Sequence, residues 1–236
     1  MSQGIFSRLI PHLFPQRCLL CGGPGDFFSR FCSDCYQELP FNHHACRRCA
    51  LPLSPGTPSD VLCGQCQKHA PSFDSAMTAL RYEAPTRHLI SALKFNQQLH
   101  LAPPLARLLI ARLGRLDKPP DRILPVPLHT TRLRERGFNQ AVELGRTVSR
   151  HYAIPLDLNS VVRTRNTRAQ SDLKETDRQR NLRKAFRIQH PVRGLNLVIL
   201  DDVITTAATV GELGRTLKQA GAGRVDVWAI ARTERS

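Results

Sequence analysis

No cysteine follows residue 66 in this chain of 236 residues. Sulfur ligation, thiol redox chemistry and disulfide bonding are therefore confined to its beginning. Aromatic residues are also scarce, at 6% with one Trp and three Tyr, so a platform of rings for stacking unpaired bases is poorly supplied. No stretch approaches the roughly 18 to 20 consecutive apolar residues of a membrane-spanning helix. The opening MSQGIFSRLIPHLFPQ has too short an apolar run for a secretion signal and no small-residue cleavage site. A cytoplasmic location is expected. Ile5, Phe6, Leu9, Ile10 and Leu13 suit one face of a short helix that caps the module following it. Acidic residues are in the minority: 19 Asp and Glu against 34 Lys and Arg give +15 and a pI near 10.3. Such a balance favours phosphate-rich partners: nucleic acids, nucleotides or phosphorylated sugars.

What is present divides the chain in two. All eight cysteines fall into four CxxC pairs, Cys18/Cys21, Cys32/Cys35, Cys46/Cys49 and Cys63/Cys66, with gaps of 10, 10 and 13 residues between neighbouring pairs. A CxxC turn puts two thiolates on one side of a tight knuckle, at a bite that suits tetrahedral zinc. Four knuckles complete two four-sulfur sites. Disulfides would need an oxidising compartment, which no export signal supports. Sequential sites from Cys18, Cys21, Cys32, Cys35 and from Cys46, Cys49, Cys63, Cys66 close shorter loops than a cross-braced pairing of first knuckle with third. The sites read as structural, because four sulfurs leave no open position on the metal. The segment has few large apolar residues, and zinc would supply folding energy that a core cannot.

Residues 1–70 thus read as a short helix and two zinc-bound units, and residues 71–236 as a second module. In the latter SAMTALRYE alternates like a strand, residues 85–113 carry two helical patterns, and Pro103 and Pro104 open the second of these. RILPVPL is a short strand, RERGFNQAVELGRTVSRHY a helix after a basic turn, LDLNSVVRTR and NLVIL strands, TVGELGRTLKQAGA a helix and VDVWAIA a final strand. Strands alternating with helices predict an α/β domain with a mostly parallel sheet and helices on both faces. In such sheets ligands bind beyond the carboxyl ends of the strands.

The stretch VILDDVITTAATV, residues 198–210, falls at such an end. Val198, Ile199 and Leu200 read as a strand buried on both faces. Asp201 and Asp202 follow, then a loop of Thr205, Thr206, Ala207, Ala208 and Thr209 running into a helix. Backbone N–H groups, hydroxyls and a helix N-terminus attract phosphate, whereas carboxylates accept hydrogen bonds from a vicinal diol. Together they imply a ribose 5-phosphate ligand. The competing reading is an Asp helix cap with threonines in a turn.

This stretch is similar to the phosphoribosyl-pyrophosphate (PRPP) signature of type I phosphoribosyltransferases. The resemblance implies that Asp201 and Asp202 bind the ribose hydroxyls and that Thr205–Thr209 bind the 5-phosphate. That signature has glycine where this chain has Ala207. VPLHTTRLRERGFNQA (residues 126–141), the later pattern Arg165, Arg168, Gln170, Arg178, Asn181, Ala185, Phe186 and the CxxC pairs together resemble the ComF family, over about residues 15–233. The implied fold is a type I phosphoribosyltransferase-like parallel sheet with an N-terminal double zinc ribbon. Leu128 and His129 then lie in the pyrophosphate loop, and Arg132, Arg134 and Arg136 face the leaving pyrophosphate with Mg²⁺. Asn139 and Gln140 either cap a helix or bind ligand, with ligand preferred. Phe138 reads as core. Between Arg163 and Arg187 nine basic residues face three acidic ones. Arg165, Arg168, Gln170, Arg178 and Asn181 are candidates for contact with substrate or nucleic acid. The resemblance implies a role in uptake and use of external DNA, with single-stranded DNA or import proteins as partners. No general base stands out.

Overall fold

The computed structural model describes residues 17–26, 30–58, 60–166 and 184–234. The amphipathic pattern of residues 5–13 and the candidates Arg168, Gln170, Arg178 and Asn181 lie outside them. The cysteine-bearing part contributes two short helices, α1 (Ser33–Gln37) and α2 (Gly64–Lys68), each starting at a cysteine. Strand β1 (Ser75–Arg81), α3 (Thr86–Phe95), a 3₁₀ turn (Leu99–Leu101), α4 (Ala102–Leu113) and β2 (Arg122–Pro125) follow. Next come α5 (Thr130–Arg136), α6 (Gln140–Tyr152), β3 (Val161–Arg163), β4 (Phe186–Ile188), β5 (Asn196–Ile204), α7 (Ala208–Gln219) and β6 (Arg224–Arg232).

Four strands form one parallel sheet in the order β1-β6-β5-β2. Both edges are extended by short stretches of chain. Leu156 bridges Ile123 beside β2. On the other side Phe41 bridges Leu80, the Asn42 amide donates to the Ala79 carbonyl and the Arg81 amide to the Pro40 carbonyl. The cysteine-bearing part is therefore hydrogen-bonded to β1. The sheet is covered on both faces, as the continuous apolar runs of its strands require. Leu197 and Ile199 of β5 meet Val210, Leu213 and Leu217 of α7 in one core. Val198 and Leu200 meet Leu93, Leu105 and Leu144 of α3, α4 and α6 in the other. Helix α6 approaches so closely at Gly145 that a Cβ there would come within 2.8 Å of Leu156 Cδ1 and 3.2 Å of Leu200 Cδ2.

Three features differ from the reading of the sequence. The basic turn before RGFNQ is the helix α5, begun by His129, whose Nδ1 accepts from the Thr131 amide, and ended by Gly137 at φ 80°. Strand β5 does not stop at Leu200. It continues through both aspartates to Ile204, because Ala229, Ala231 and Arg232 of β6 keep pairing with it. Strand β4, too short to show a period, pairs antiparallel with β3, apart from the main sheet.

Candidate functional site

The two cysteine groups are sequential. Cys18, Cys21, Cys32 and Cys35 form one cluster, and Cys46, Cys49, Cys63 and Cys66 the other, with sulfurs within 4.8 Å of one another in each. Zinc–sulfur bonds of about 2.3 Å in a tetrahedron give sulfur–sulfur edges of about 3.8 Å. The Cys21–Cys32 and Cys49–Cys63 sulfurs are 3.8 and 3.7 Å apart. Backbone amides point at the sulfurs, as from Cys63 to Cys46 Sγ at 3.2 Å. Burial pushes the Cys18 thiol up, but amides of Cys21, Cys32 and Leu20 outweigh it and lower it to about 6. Burial is likewise outweighed at Cys46, which amides of Cys63, Cys49 and Arg48 bring to about 7. The donor set, four sulfurs in each cluster at tetrahedral spacing, fits zinc.

The second constellation lies at the carboxyl end of the sheet. Asp202 is 3% exposed and ion-paired to Lys94 Nζ from α3. Its amide donates to Asp201 Oδ1 at 2.8 Å. Burial and the neighbouring Asp202 push the Asp201 carboxyl well above the usual carboxylate range. Lys94 is raised in spite of burial, held charged by Asp202 and then Asp201. Two arginines feel the pair electrostatically, Arg136 through Asp202 and Arg163 through Asp201. Burial and the nearby Arg132 lower both Arg136 and Arg163, while Asp202 supports the charge of the first and Asp201 that of the second. Lys94, Arg136 and Arg163 thus place positive charge near the two carboxylates, an arrangement that favours an anionic ligand.

Asn139 and Gln140 are occupied within the fold. Asn139 caps α6 by accepting from the Ala141 amide, and its Nδ2 donates to the Val126 carbonyl at 3.0 Å. It ties the strand end after β2 to the helix. Gln140 is buried and its Oε1 accepts from Arg136 Nη1 at 2.7 Å. That bond fixes the guanidinium, which also lies 5.4 Å over the Phe95 ring. Leu128 and His129 are half-buried in the turn between β2 and α5.

After β5 the chain turns through Thr205 and Thr206 into α7. Ala207 is the residue before the helix and has φ 61° and ψ 9°, in the left-handed region. Thr206 Oγ1 accepts from the Ala208 amide at 3.4 Å. The loop is anchored from beneath by Arg232, 1% exposed, whose Nη1 donates to the carbonyls of Ile204 and Thr205. Arg165 is exposed just beyond β3.

Residues 9–67 match the double zinc ribbon domain. The chain is 37% identical to the DNA utilization protein YhgH of Escherichia coli (strain K12), over 93% of this chain and 98% of that one. It is 34% identical to competence protein F of Haemophilus influenzae, over 94% of this chain and 99% of that one. The chain belongs to the ComF/YhgH family. Solved structures give weaker matches. A glutamine PRPP amidotransferase from B. subtilis is 20% identical with a TM-score of 0.36, over 53% of this chain and 25% of that one. An adenine phosphoribosyltransferase from Leishmania tarentolae is 12% identical with a TM-score of 0.37, over 60% and 74%.

Three contributors of this ComF-family chain do not stand out in its sequence. Lys94 sits in an ordinary amphipathic helix, and only its place next to Phe95, an aromatic 72% exposed, departs from the pattern of buried apolar residues. Arg163 looks like one of many basic residues before its half-buried place over the Phe186 ring is seen. Arg232 closes a buried apolar strand, where a charge is rare without partners; that is the one signal the sequence offered.

Proposed function

We propose that this ComF-family protein binds PRPP or a related ribose 5-phosphate ligand at Asp201, Asp202 and the loop Thr205–Thr209, and acts in the utilisation of external DNA. The carrying observation is the Asp201–Asp202 unit, with Asp202 buried and ion-paired to Lys94, next to a left-handed turn at Ala207 that opens a helix N-terminus. The carboxylates suit a diol, and the turn with its backbone amides and hydroxyls suits a phosphate. Arg132 and Arg136 on α5 suit the pyrophosphate, and Mg²⁺, when bound with it, would supply further neutralisation of its charge. If the site turns over, these cations stabilise pyrophosphate as it leaves the C1 carbon of the ribose. The acceptor is an external nucleophile, since the site supplies no evident base. Calorimetry with PRPP and Mg²⁺ tests the reading. Wild type should bind and the Asp201→Ala, Asp202→Ala double variant should not; a wild type that gives no heat sinks it.

A second reading rests on the charge of +15 and the cluster of arginines near β3. In it the basic surface holds single-stranded DNA through its phosphates, without catalysis. The names of the relatives, DNA utilization protein and competence protein, agree with this reading. The residue boundary near 70 separates a zinc module from a ligand-binding module in both.

A further inference from the structure

We propose that Arg232 makes the second cysteine cluster a positioning device for the phosphate loop, so that metal at Cys46, Cys49, Cys63 and Cys66 sets the affinity of Thr205–Thr209 for an anionic ligand. The ligand side of this statement rests on the reading above.

Arg232 is the last residue of β6 and lies opposite Ile204, the last residue of β5. Its Nε donates to the carbonyl of Cys49 at 3.1 Å. Its Nη1 donates to the Ile204 carbonyl at 3.0 Å, to the Thr205 carbonyl, and to Thr233 Oγ1 at 3.3 Å. One planar cation therefore joins the backbone of a sulfur ligand to the two residues from which the loop departs. A guanidinium carries its donors in a rigid fork, so displacing one acceptor tilts the donors to the others. It is almost wholly buried, and a buried charge that loses an acceptor is strongly disfavoured. The loop and the knuckle should therefore move together.

A separate contact points the same way. Ala207 and Ala208 pack against the core that contains Cys46, Cys49, Cys63 and Cys66. The knuckle is also pinned to the sheet beside Arg232. Ala50, next to Cys49, has φ 56°, and its carbonyl accepts from Asn42 Nδ2 at 2.9 Å, which in turn donates to Thr78 Oγ1 at 2.8 Å. Without metal, nothing draws the four converging sulfurs together and the knuckle relaxes. The Cys49 carbonyl then leaves its place over Arg232. The first cluster offers a comparison within the same molecule. Its neighbours Leu19, Leu20, Phe31 and Tyr36 belong to the core on the opposite face of the sheet. Its metal should leave the loop alone.

Coupling between two sites is reciprocal in free energy. Ligand in the loop should hold zinc in the second cluster more tightly, and leave the first unchanged.

The test uses the full-length zinc-loaded protein. Amide hydrogen exchange of a peptide covering residues 204–210 is followed without ligand in wild type, Cys35→Ser, Cys63→Ser and Arg232→Lys, with zinc content measured for each. Cys63→Ser should speed loop exchange by about tenfold or more, the effect of losing a well-formed buried hydrogen bond. Cys35→Ser should leave it at the wild-type rate. Arg232→Lys, which keeps the charge and removes the fork, should speed the loop while retaining two zincs. If Cys63→Ser does not fold, Arg232→Lys alone carries the comparison. Wild-type loop exchange in a two-zinc Arg232→Lys protein overturns the proposal, as does equal loosening by Cys35→Ser. A second arm measures transfer of zinc to a chelator from the Cys35→Ser protein, with and without ribose 5-phosphate. Slower release with the sugar phosphate is expected, and an unchanged rate from protein that binds it counts against the coupling. Absence of any ribose 5-phosphate binding would instead refute the ligand reading, and the exchange experiment would still decide the role of Arg232.

Discussion

Lys94 of α3 forms an ion pair with Asp202 inside β5. The helix that follows the edge strand thus reaches over the carboxyl end of the sheet to its central strand. Asp202 is nearly sealed from water, and Lys94 is its cation. Lys94→Met should cost about 3–5 kcal/mol, the usual penalty of leaving one buried charge alone, read as a lower urea midpoint at unchanged slope. Adding Asp202→Leu should recover much of that loss, though not ligand binding.

The raised carboxyl of Asp201 predicts a definite pH dependence. Burial and Asp202 lift its folded-state value above the unfolded one, about 3.9, so the folded protein binds more protons than the unfolded chain. Its contribution to stability therefore falls as pH rises above about 4, until the folded group has ionised. Asp201→Asn abolishes this term. Melting curves of both proteins between pH 5 and 8 should show the variant gaining on wild type with rising pH. Parallel curves would mean that Asp201 is ionised throughout.

Ala207 adopts a conformation that glycine enters freely and alanine resists by about 1 kcal/mol. Ala207→Gly should relieve that strain and open a closer approach to the loop amides. Tighter PRPP binding by up to about fivefold is expected, as 1.4 kcal/mol corresponds to tenfold. An unchanged affinity would indicate that no phosphate sits against this residue.

Elemental analysis should give about two zinc per chain, as two closed four-sulfur sites require. Chelation should unfold the cysteine-bearing part, since structural zinc contributes on the order of 10 to 16 kcal/mol per site. A value near zero, in protein that remains folded, would remove the metal from the account.

If phosphate contacts hold single-stranded DNA, affinity should fall steeply and linearly with the logarithm of salt. A flat response would point away from the arginines, and PRPP competition would show whether the two ligands share them.

The sequence carried the plan of this molecule where the pattern is local. CxxC spacing announced the metal sites, apolar runs announced β5 and β6, and the LDD…TT stretch marked the passage from β5 to α7. What it hid is relational. No period in α3 distinguishes Lys94 from a solvent-facing lysine, because its partner is far off in sequence. The extension of β5 past its aspartates depends on how long β6 continues to pair. The role of Asn139 depended on a carbonyl at Val126 that only folding brings near. Arg232 is the clearest case, for its acceptors come from three separate stretches of chain.

The bridge from Pro40–Asn42 to Ala79–Arg81 has a consequence for how such a protein can be cut, fused or inherited. A bare outer strand offers its unpaired amides and carbonyls to any other chain, and polymerisation follows readily. Here the zinc-bearing part occupies that margin. A shortened chain beginning near residue 71 would keep its sheet but lose its selvedge, and it should precipitate rather than behave as a free-standing domain. The two halves can be told apart by composition, yet they share one sheet edge.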